Sequence, residues 1–278
     1  MPYLAFIIGA IAVLAAALIG WHNTRLKTVK ETIVTSGLPK EFDGTSIVII
    51  SDLHKKVFGK NNYRLIDEIK KQKPDMIFFP GDLISRYETS IKNQKSLICE
   101  LLKVAPVYYT YGNHEVDADE EIRDEINDLG MTMLLNNSVR TEKDGCAINI
   151  AGVYFESGFY VNKKGGYKNL PKVTCQEIKK RLGNKLEGFT FLLCHNPDYF
   201  PACAEWGADI TVSGHIHGGV IRIGDKGLLH PERKLFPKYS SGVYKLGEKS
   251  LVVSRGLGKF RINNAPEVLV LTIKTKAD

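Results

Sequence analysis

Short apolar runs, separated by polar stretches with helical spacing, make up most of the chain after residue 45. Runs such as 47–50 and 76–79 are rich in β-branched or aromatic residues, and their length is typical of strands buried on both faces. Leu65, Ile66 and Ile69 recur with helical spacing among charged residues, and Pro74 ends that helix. Strands and helices thus alternate in the first half. The second half is richer in strands, which predicts two mixed sheets packed together with helices outside.

The same pattern predicts helices at 91–102 and 122–129 and an edge strand at 31–35. Further buried strands are expected at 107–111, 147–153, 189–193, 210–212, 251–254 and 268–273. The globular domain is predicted to span 45–278. Residues 22–44 are interpreted as a polar juxtamembrane segment, because Gly37-Leu38-Pro39 breaks any helix there.

Residues 3–20 contain no charged side chain, and eighteen helical residues span about 27 Å, enough for a bilayer core. We therefore predict a transmembrane anchor at 1–21, with Trp21 at the interface. A cleaved signal peptide, which would need a basic N-terminal region, and a buried apolar helix are the alternatives. The positive-inside rule, applied to Arg25, Lys27 and Lys30, predicts a single-pass membrane protein with a cytoplasmic catalytic domain.

The charge balance, 38 basic against 31 acidic side chains, gives a net charge of +7. This excess indicates either a solubilising surface or an anionic partner such as a phosphate ester. The five cysteines are odd in number and show no Cys-x-x-Cys spacing, which argues against a disulfide framework and favours a cytoplasmic domain. Apolar and charged fractions of 44% and 25% are ordinary for a globular protein.

Five short clusters at the ends of apolar runs carry carboxylate, imidazole and amide side chains. Loops at strand ends are where α/β folds gather their functional groups. This mixture of ligand types suits two divalent cations and a phosphorus ester. The clusters are Asp52-Leu53-His54, Gly81-Asp82, Gly112-Asn113-His114-Glu115, Cys194-His195-Asn196 and Gly214-His215-Ile216-His217.

The spacing within the clusters suggests how the ligands could meet. Asp52 and His54 are two residues apart, so strand alternation would point both to one face, and the same holds for His215 and His217. Asp82 could bridge two cations about 3.5–4 Å apart. Alone, Asp-x-His is commonly incidental, Gly-Asp is commonly a turn and His195 could be a core histidine, whereas Gly-His-x-His is a stronger signal. The specificity lies in the ordered combination.

Taken in order, the five clusters resemble the calcineurin-like metallophosphoesterase family from about residue 45 to the C-terminus. The resemblance implies an α/β (α+β) fold, a four-layer αββα sandwich in which helices flank two mixed β-sheets. It also implies two cations, for which mixed nitrogen and oxygen ligands favour Mn, Fe, Zn or Co. One cation would be held by Asp52, His54, Asp82 and His217, and the other by Asp82, Asn113, His195 and His215.

A narrower resemblance is to a bacterial membrane-associated subgroup of the family, similar to UDP-diacylglucosamine pyrophosphatases. It rests on segments such as Ile50-Ser51-Asp52-Leu53-His54 and Ser254-Arg255-Gly256-Leu257-Gly258. Lys55, Ile216 and Val220 depart from the subgroup's pattern. All the expected ligands are present, so these departures bear on substrate specificity rather than on the chemistry.

The expected reaction is attack on phosphorus by water activated between two cations. His114 would protonate or stabilise the leaving oxygen, as the expected catalytic residue. Glu115 could orient His114 or cap the following helix near Asp119. Arg255 is the expected substrate contact, with a surface salt bridge as the alternative.

The resulting hypothesis is a membrane-anchored, binuclear-metal-dependent phosphoesterase. Its substrate would be a phosphodiester or a pyrophosphate, and a lipid is one expected carrier. A nuclease or nucleotide phosphodiesterase of the same fold is an alternative. No nucleic-acid partner is expected, because the lysines are scattered rather than arranged along a groove. A non-enzymatic scaffold would predict loss of His114 or Asp82, and both are present.

Overall fold

The computed structural model describes residues 23–224, 226–232, 235–259 and 261–276, together with positions 3, 6, 7, 9, 13, 14, 17 and 20. The predicted transmembrane anchor at 1–21 therefore lies mostly outside the described residues. Within the described positions, no helix combines the length and apolar character that crossing a bilayer requires.

The strands alternate with helices along the first half of the chain and dominate the second half. The described strands are β1 (Lys27–Thr35), β2 (Ser46–Ile49), β3 (Met76–Phe79), β4 (Val107–Tyr109), β5 (Thr132–Met133), β6 (Asn137–Lys143), β7 (Cys146–Val153), β8 (Thr190–Cys194), β9 (Ile210–Ser213), β10 (Arg222–Ile223), β11 (Lys226–Gly227), β12 (Gly242–Leu246), β13 (Lys249–Val253) and β14 (Glu267–Thr275). The α-helices that follow residue 60 are α1 (Tyr63–Gln72), α2 (Lys92–Leu101), α3 (Asn113–Val116), α4 (Glu120–Asn127), α5 (Cys175–Leu182) and α6 (Phe200–Trp206).

Two six-stranded sheets form the centre of the fold, with strand orders β1-β14-β2-β3-β4-β5 and β12-β13-β9-β8-β7-β6. Both sheets are mixed. In the first, β2, β3, β4 and β5 run parallel while β14 pairs antiparallel with β2. In the second, β7, β8, β9 and β13 run parallel between the antiparallel edge strands β6 and β12.

Side-chain alternation along the central strands creates the layers of the fold. Ile47 and Ile49 of β2 pack into a core cluster shared with the second sheet, whereas Val48 packs into a cluster with α1, α2 and α4. Phe191 of β8 likewise faces the first sheet, and Leu192 faces α5 and α6. The layers therefore follow the order helices, sheet, sheet, helices. The predicted α/β fold with two mixed sheets is confirmed.

Described residues of the segment that precedes residue 45 pack with the folded domain, so the domain boundary at 45 stays a prediction. All nine residues of β1 pair in parallel register with β14 at the edge of the first sheet. Ile33, Leu38 and Phe42 are buried in the core between the sheets. Lys30, Thr32 and Val34 are exposed and alternate with the buried Ile33 and Thr35, as on an edge strand with one covered face.

Candidate metal centre

The loops that carry the predicted ligands leave the carboxyl ends of parallel strands in both sheets. Asp52 and His54 follow β2, Asp82 follows β3, and Asn113 begins α3 after β4. In the second sheet, His195 follows β8, and His215 and His217 follow β9. All seven side chains are buried at this shared edge.

Asp82 lies at the middle of the cluster. Its Oδ2 atom is 3.2 Å from His195 Nε2 and 3.8 Å from His54 Nε2. The same oxygen is 3.9 Å from His114 Nε2, while Oδ1 accepts the His114 backbone N–H at 3.0 Å. One carboxylate oxygen therefore faces imidazoles from three loops, which is the position a bridging ligand requires.

Asp52 forms the second carboxylate of the cluster. Its Oδ1 atom is 3.9 Å from His195 Nε2 and 3.8 Å from His217 Nδ1. Ser51 Oγ donates to Oδ2 at 2.6 Å, and the His215 backbone N–H lies 3.1 and 3.2 Å from the two oxygens. These contacts fix the carboxylate between the two sheets.

Among the described residues, ligand atoms lie within 4.8 Å of one another in four overlapping groups. Two groups contain predicted ligands alone: Asp52, His54 and His217 form the first set, and Asp82, His195 and His215 form the second. The other two groups are His54, Asp82 and His114, and His215, His230 and Glu232. Asn113 Oδ1 is buried and has no hydrogen-bond partner among the described residues. The structure thus brings the carboxylates and imidazoles together as two adjoining candidate cation sites.

Strand alternation is not the reason why these residues meet, and that part of the sequence argument is wrong. Asp52, His54, Asp82, His215 and His217 all lie beyond their strands with φ between 53° and 68°. His215 and His217 also fall in different ligand sets. A left-handed backbone at a non-glycine residue costs about 1–3 kcal/mol and concentrates at functional sites. The surrounding fold therefore imposes these conformations against local preference.

Two of the histidines present a bare nitrogen to the cluster. His54 Nδ1 is 2.9 Å from the carbonyl oxygen of Ile84, and His195 Nδ1 is 2.7 Å from that of Pro80. Since a carbonyl oxygen only accepts, Nδ1 carries the proton and Nε2 offers its lone pair. Both Nε2 atoms are buried without a hydrogen-bond partner in the described ranges, as is His217 Nδ1. Buried imidazole nitrogens with an available lone pair are suitable ligands for divalent cations.

The pKa directions agree with a site built for positive charge. Burial opposes ionisation of Asp82, yet His195, His114 and His54 together hold its pKa well below the usual range. Burial also opposes protonation of His195, but Asp82 and then Asp52 raise its pKa to about 10. The two carboxylates beside His195 thus create the negative charge that a bound cation would neutralise.

His114 points its second nitrogen toward the opening of the cluster. Its Nδ1 accepts the backbone N–H of Arg86 at 2.6 Å, so the proton of the neutral ring lies on Nε2. Burial is the main reason why the pKa of His114 falls to about 4, although Asp82 opposes this shift. At neutral pH the ring is an oriented N–H donor.

Glu115 fills neither of the two roles considered for it. Its carboxylate accepts backbone N–H groups from Asp82 at 2.9 Å, Gly112 at 2.8 Å and Ile84 at 3.1 Å. It thus caps its own helix, α3, and fixes the Asp82 loop against the Asn113 loop. Burial raises the pKa of Glu115 to about 7.

Comparison with known proteins agrees with this geometry. Residues 45–219, more than half of the chain, match the sequence profile of the calcineurin-like phosphoesterases. The chain belongs to this family. It is therefore a metal-dependent phosphoric ester hydrolase, as the five ligand clusters indicated.

Relatives of this phosphoesterase align over most of both chains. It is 28% identical over 264 residues to an uncharacterised metallophosphoesterase of Bacillus subtilis, YkuE, covering 90% of this chain and 86% of the relative. It is 25% identical to the phosphodiesterase YaeI of Escherichia coli, covering 82% and 81%. It is 23% identical to the UDP-2,3-diacylglucosamine pyrophosphatase LpxG of Chlamydia muridarum, covering 94% of each.

The sequence pattern did not predict two residues that lie beside the ligand cluster, His230 and Glu232. Glu232 Oε1 lies 3.3 Å from His215 Nε2, and the Glu232 backbone N–H donates to His230 Nδ1 at 2.9 Å. Their segment follows no long apolar run, so it carried no strand-end signal. Because His230 Nδ1 already accepts a hydrogen bond, its Nε2 carries the proton of the neutral ring. The pair is therefore better suited to supporting His215 than to holding a further cation.

Arg255, the predicted substrate contact, forms an ion pair with Glu267 in the structure. Its Nε is 3.1 Å from Glu267 Oε2, and its backbone N–H donates to Glu267 Oε1 at 3.2 Å. Arg255 is absent from the described residues that line the cavity beside the ligands. The backbone that follows it, through Gly258, packs on the Asp52 loop. Contact between Arg255 and substrate stays a prediction.

A Gly112→Ala substitution is expected to lower kcat/KM roughly 100-fold, because small displacements of catalytic groups are costly. At Gly112, an added Cβ would collide with Asp82 Oδ1 and lie 2.7 Å from the Asp82 backbone nitrogen. Backbone strain is not involved, since φ at Gly112 is −93°. The measurement is steady-state hydrolysis of a phosphodiester together with the bound-metal content.

Gly158→Ala is the matched control, because an added Cβ there meets nothing within 4 Å. The control should retain wild-type activity and metal content. Full activity of Gly112→Ala would show that the Asp82 carboxylate is free to move, contrary to the geometry described.

Proposed function

We propose that this enzyme hydrolyses a phosphodiester or a pyrophosphate with two divalent cations bound at the shared edge of its sheets. The observation that carries the proposal is the convergence of buried, unpaired imidazole nitrogens on two carboxylates. In one site the ligands would be Asp52, His54, Asp82 and His217. In the other they would be Asp82, Asn113, His195 and His215. The mixed nitrogen and oxygen donors favour Mn, Fe, Zn or Co.

Bound cations would supply Lewis acidity and an acidified water. The protein's own residues provide position and charge. Asp82 and Asp52 hold their carboxylates at fixed places, through the backbone N–H groups of His114 and His215. His114 donates its Nε2–H toward the leaving oxygen, which lowers the cost of the charge that develops there.

A cavity of about 610 Å³ opens in front of these groups and would receive the substrate. Its described lining includes His114, His215 and His217 on the ligand side. On the other sides the cavity is lined by Tyr87, Tyr160, Asn162, Tyr167, Glu232 and Lys259. This volume accommodates a head group of small-ligand size.

We also propose that residues 1–21 anchor the enzyme in a membrane, with the catalytic domain on the cytoplasmic side. Residues 3–20 carry no charge. Among the described positions, Tyr3, Phe6, Val13 and Leu14 each expose more than half of their side chain, so the folded domain does not cover them. Basic residues follow this stretch, as the positive-inside rule requires.

Asn23, three residues after the apolar stretch, contacts the segment that follows Lys259. The Asn23 side-chain amide donates to the Arg261 carbonyl oxygen at 2.8 Å and accepts the Arg261 backbone N–H at 3.0 Å. Lys259, two residues earlier, lines the cavity. A lipid head group at the bilayer surface would lie close to the catalytic groups. The Chlamydia relative, named as a pyrophosphatase for UDP-2,3-diacylglucosamine, supports a lipid-linked substrate.

The full-length protein, purified in detergent, is expected to hydrolyse bis(p-nitrophenyl) phosphate when Mn is supplied. Activity should disappear on chelation and return with added cation, because the ligands are oriented before the cation binds. Diesters, nucleotide-linked lipid pyrophosphates and phospholipids should then be compared at equal metal concentration. Hydrolysis that persists unchanged after complete metal removal would contradict the proposed function.

Membrane anchoring is tested separately by fractionating cells that express the full chain or a chain beginning at residue 23. The full chain should remain with membranes after a high-salt wash, whereas the shortened chain should not. Release of the full chain by salt alone would contradict a transmembrane anchor. A reporter fused to the C-terminus would identify the side of the membrane.

A further inference from the structure

Two hydrogen-bond donors face each other at the cavity side of His114. Lys259 Nζ lies 3.1 Å from His114 Nε2. The Arg86 backbone N–H occupies His114 Nδ1, so in the neutral ring Nε2 carries the proton. An ammonium and a ring N–H that lie side by side at this separation are complementary to an anionic oxygen that both can contact.

Lys259 has no acidic neighbour to neutralise it. The other lysine or arginine among the described lining residues is Arg86, whose Nε is 2.6 Å from Asp117 Oδ2. By contrast, Lys259 forms no ion pair with a carboxylate anywhere in the described part of the chain. Its charge is therefore available to a ligand in the cavity.

The backbone that carries Lys259 is fixed to the metal-ligand loop. The Gly258 N–H donates to the Asp52 carbonyl oxygen at 2.6 Å, and Arg261 Nε donates to the Gly258 carbonyl oxygen at 2.8 Å. A Cβ at Gly258 would lie 2.5 Å from the Leu53 carbonyl oxygen, so the two loops are in close contact. The position of Lys259 beside His114 follows from this contact.

We propose that Lys259 is a specificity-determining residue that binds a negatively charged leaving group. This rests on the proposed function, in which His114 marks the side of the leaving oxygen. A pyrophosphate releases a phosphate monoester, which carries its own charge, whereas a simple diester releases a neutral alcohol. Lys259 contacts the phosphate that departs and therefore favours pyrophosphates over diesters of alcohols.

The reaction consumes one water for each pyrophosphate bond. The water oxygen forms a bond to the attacked phosphorus, and the bond from that phosphorus to the bridging oxygen breaks. The electron pair of the broken bond stays on the bridging oxygen, which becomes a terminal oxygen of the departing phosphate. The two protons of the water pass to the two monophosphate products or to solvent.

The test compares diadenosine diphosphate with diadenosine monophosphate, a matched pair that differs by the phosphate in the leaving group. For the full-length Lys259→Ala enzyme, kcat/KM for the diphosphate is expected to fall about tenfold to a hundredfold, as for loss of a hydrogen bond to a charged group. For the monophosphate it should fall less than about threefold. Lys259→Arg should restore most of the loss, because it keeps the charge.

Lys245→Ala is the matched control, since this exposed lysine of β12 lies outside the cavity lining. It should affect neither substrate. Equal losses on both substrates in Lys259→Ala, or no loss on the diphosphate, would overturn the proposal. So would a Lys259→Arg variant as impaired as Lys259→Ala.

A binding measurement separates failure of this proposal from failure of the proposed function. α,β-Methylene-ADP and AMP are titrated into the Mn-loaded wild-type and Lys259→Ala proteins. The variant should lose about tenfold or more in affinity for the methylene diphosphate and little for AMP. If the wild type hydrolyses no ester, the proposed function fails. The binding titration still shows whether Lys259 contacts the second phosphate. Equal affinities of the two proteins for the methylene diphosphate would refute that role.

Discussion

An Asp82→Asn enzyme is expected to lose about 10³-fold or more in kcat/KM, equivalent to about 4 kcal/mol of transition-state stabilisation. Asp82 Oδ2 lies within 3.9 Å of imidazoles from His195, His54 and His114. An amide keeps the shape of the side chain but removes the negative charge that two cations would share. Bound metal, measured by elemental analysis, should fall below two per chain.

Asp67→Asn provides the matched control for loss of a carboxylate. Asp67 is 61% exposed on α1 and pairs with Lys71, far from the ligand loops. Exposed pairs contribute little to stability, so this variant should match the wild type in activity and metal content. Unchanged turnover and metal content in Asp82→Asn would mean that Asp82 is not a ligand.

A His114→Ala enzyme is expected to lose about 10²–10⁴-fold in kcat while keeping its metal. His114 contributes an oriented N–H rather than a lone pair, because Arg86 N–H already occupies its Nδ1. The loss should therefore depend on the leaving group. It should be largest for unactivated alcohols and smallest for p-nitrophenolate, which departs without protonation.

The activated ester serves as the internal control for the His114→Ala experiment, since the same protein sample is measured on both substrates. Equal losses for good and poor leaving groups would indicate a structural effect of the substitution. Loss of bound metal would instead place His114 among the ligands, which the grouping of His54, Asp82 and His114 within 4.8 Å allows geometrically.

The sequence predicted the layers of the fold because hydrophobic runs report burial directly. Runs such as 47–50 and 76–79 can be buried on both faces only inside a layered structure, and they became β2 and β3. The order of ligand-bearing loops after such strands then located the candidate centre. Residue type and position relative to a strand end are local properties, so one sequence is sufficient to recognise them.

Contacts between residues far apart in the sequence could not be predicted from these local patterns. Lys259 and His114 are 145 residues apart, and Glu232 reaches His215 from an irregular segment. Neither has a local signal, because their roles arise only when loops from the two sheets meet. Backbone conformation was equally hidden, since Asp52 and His54 adopt left-handed φ angles that short-range preference disfavours. Strand alternation therefore grouped Asp52 with His54 for the wrong reason, and it grouped His215 with His217 incorrectly.

The pairing of edge strand β1 was difficult to predict from the sequence for a different reason. β1 has a mixed polar composition, and its pairing with β14 joins residues near opposite ends of the chain. Lys27 lies opposite Glu267 in that register. Edge strands expose one face and one row of backbone groups, so their hydrophobic pattern is weak. Sequence pattern alone consequently predicted an edge strand only at 31–35, whereas β1 pairs with β14 from Lys27 to Thr35.

Anomalous diffraction from crystals of the Mn-loaded protein tests the central claim most directly. Two manganese peaks are expected about 3.5–4 Å apart, with the Asp82 carboxylate between them. Asp52, His54 and His217 should surround one peak, and Asn113, His195 and His215 the other. A single peak, or metal bound only at His230 and Glu232, would contradict the binuclear centre from which the proposed chemistry follows.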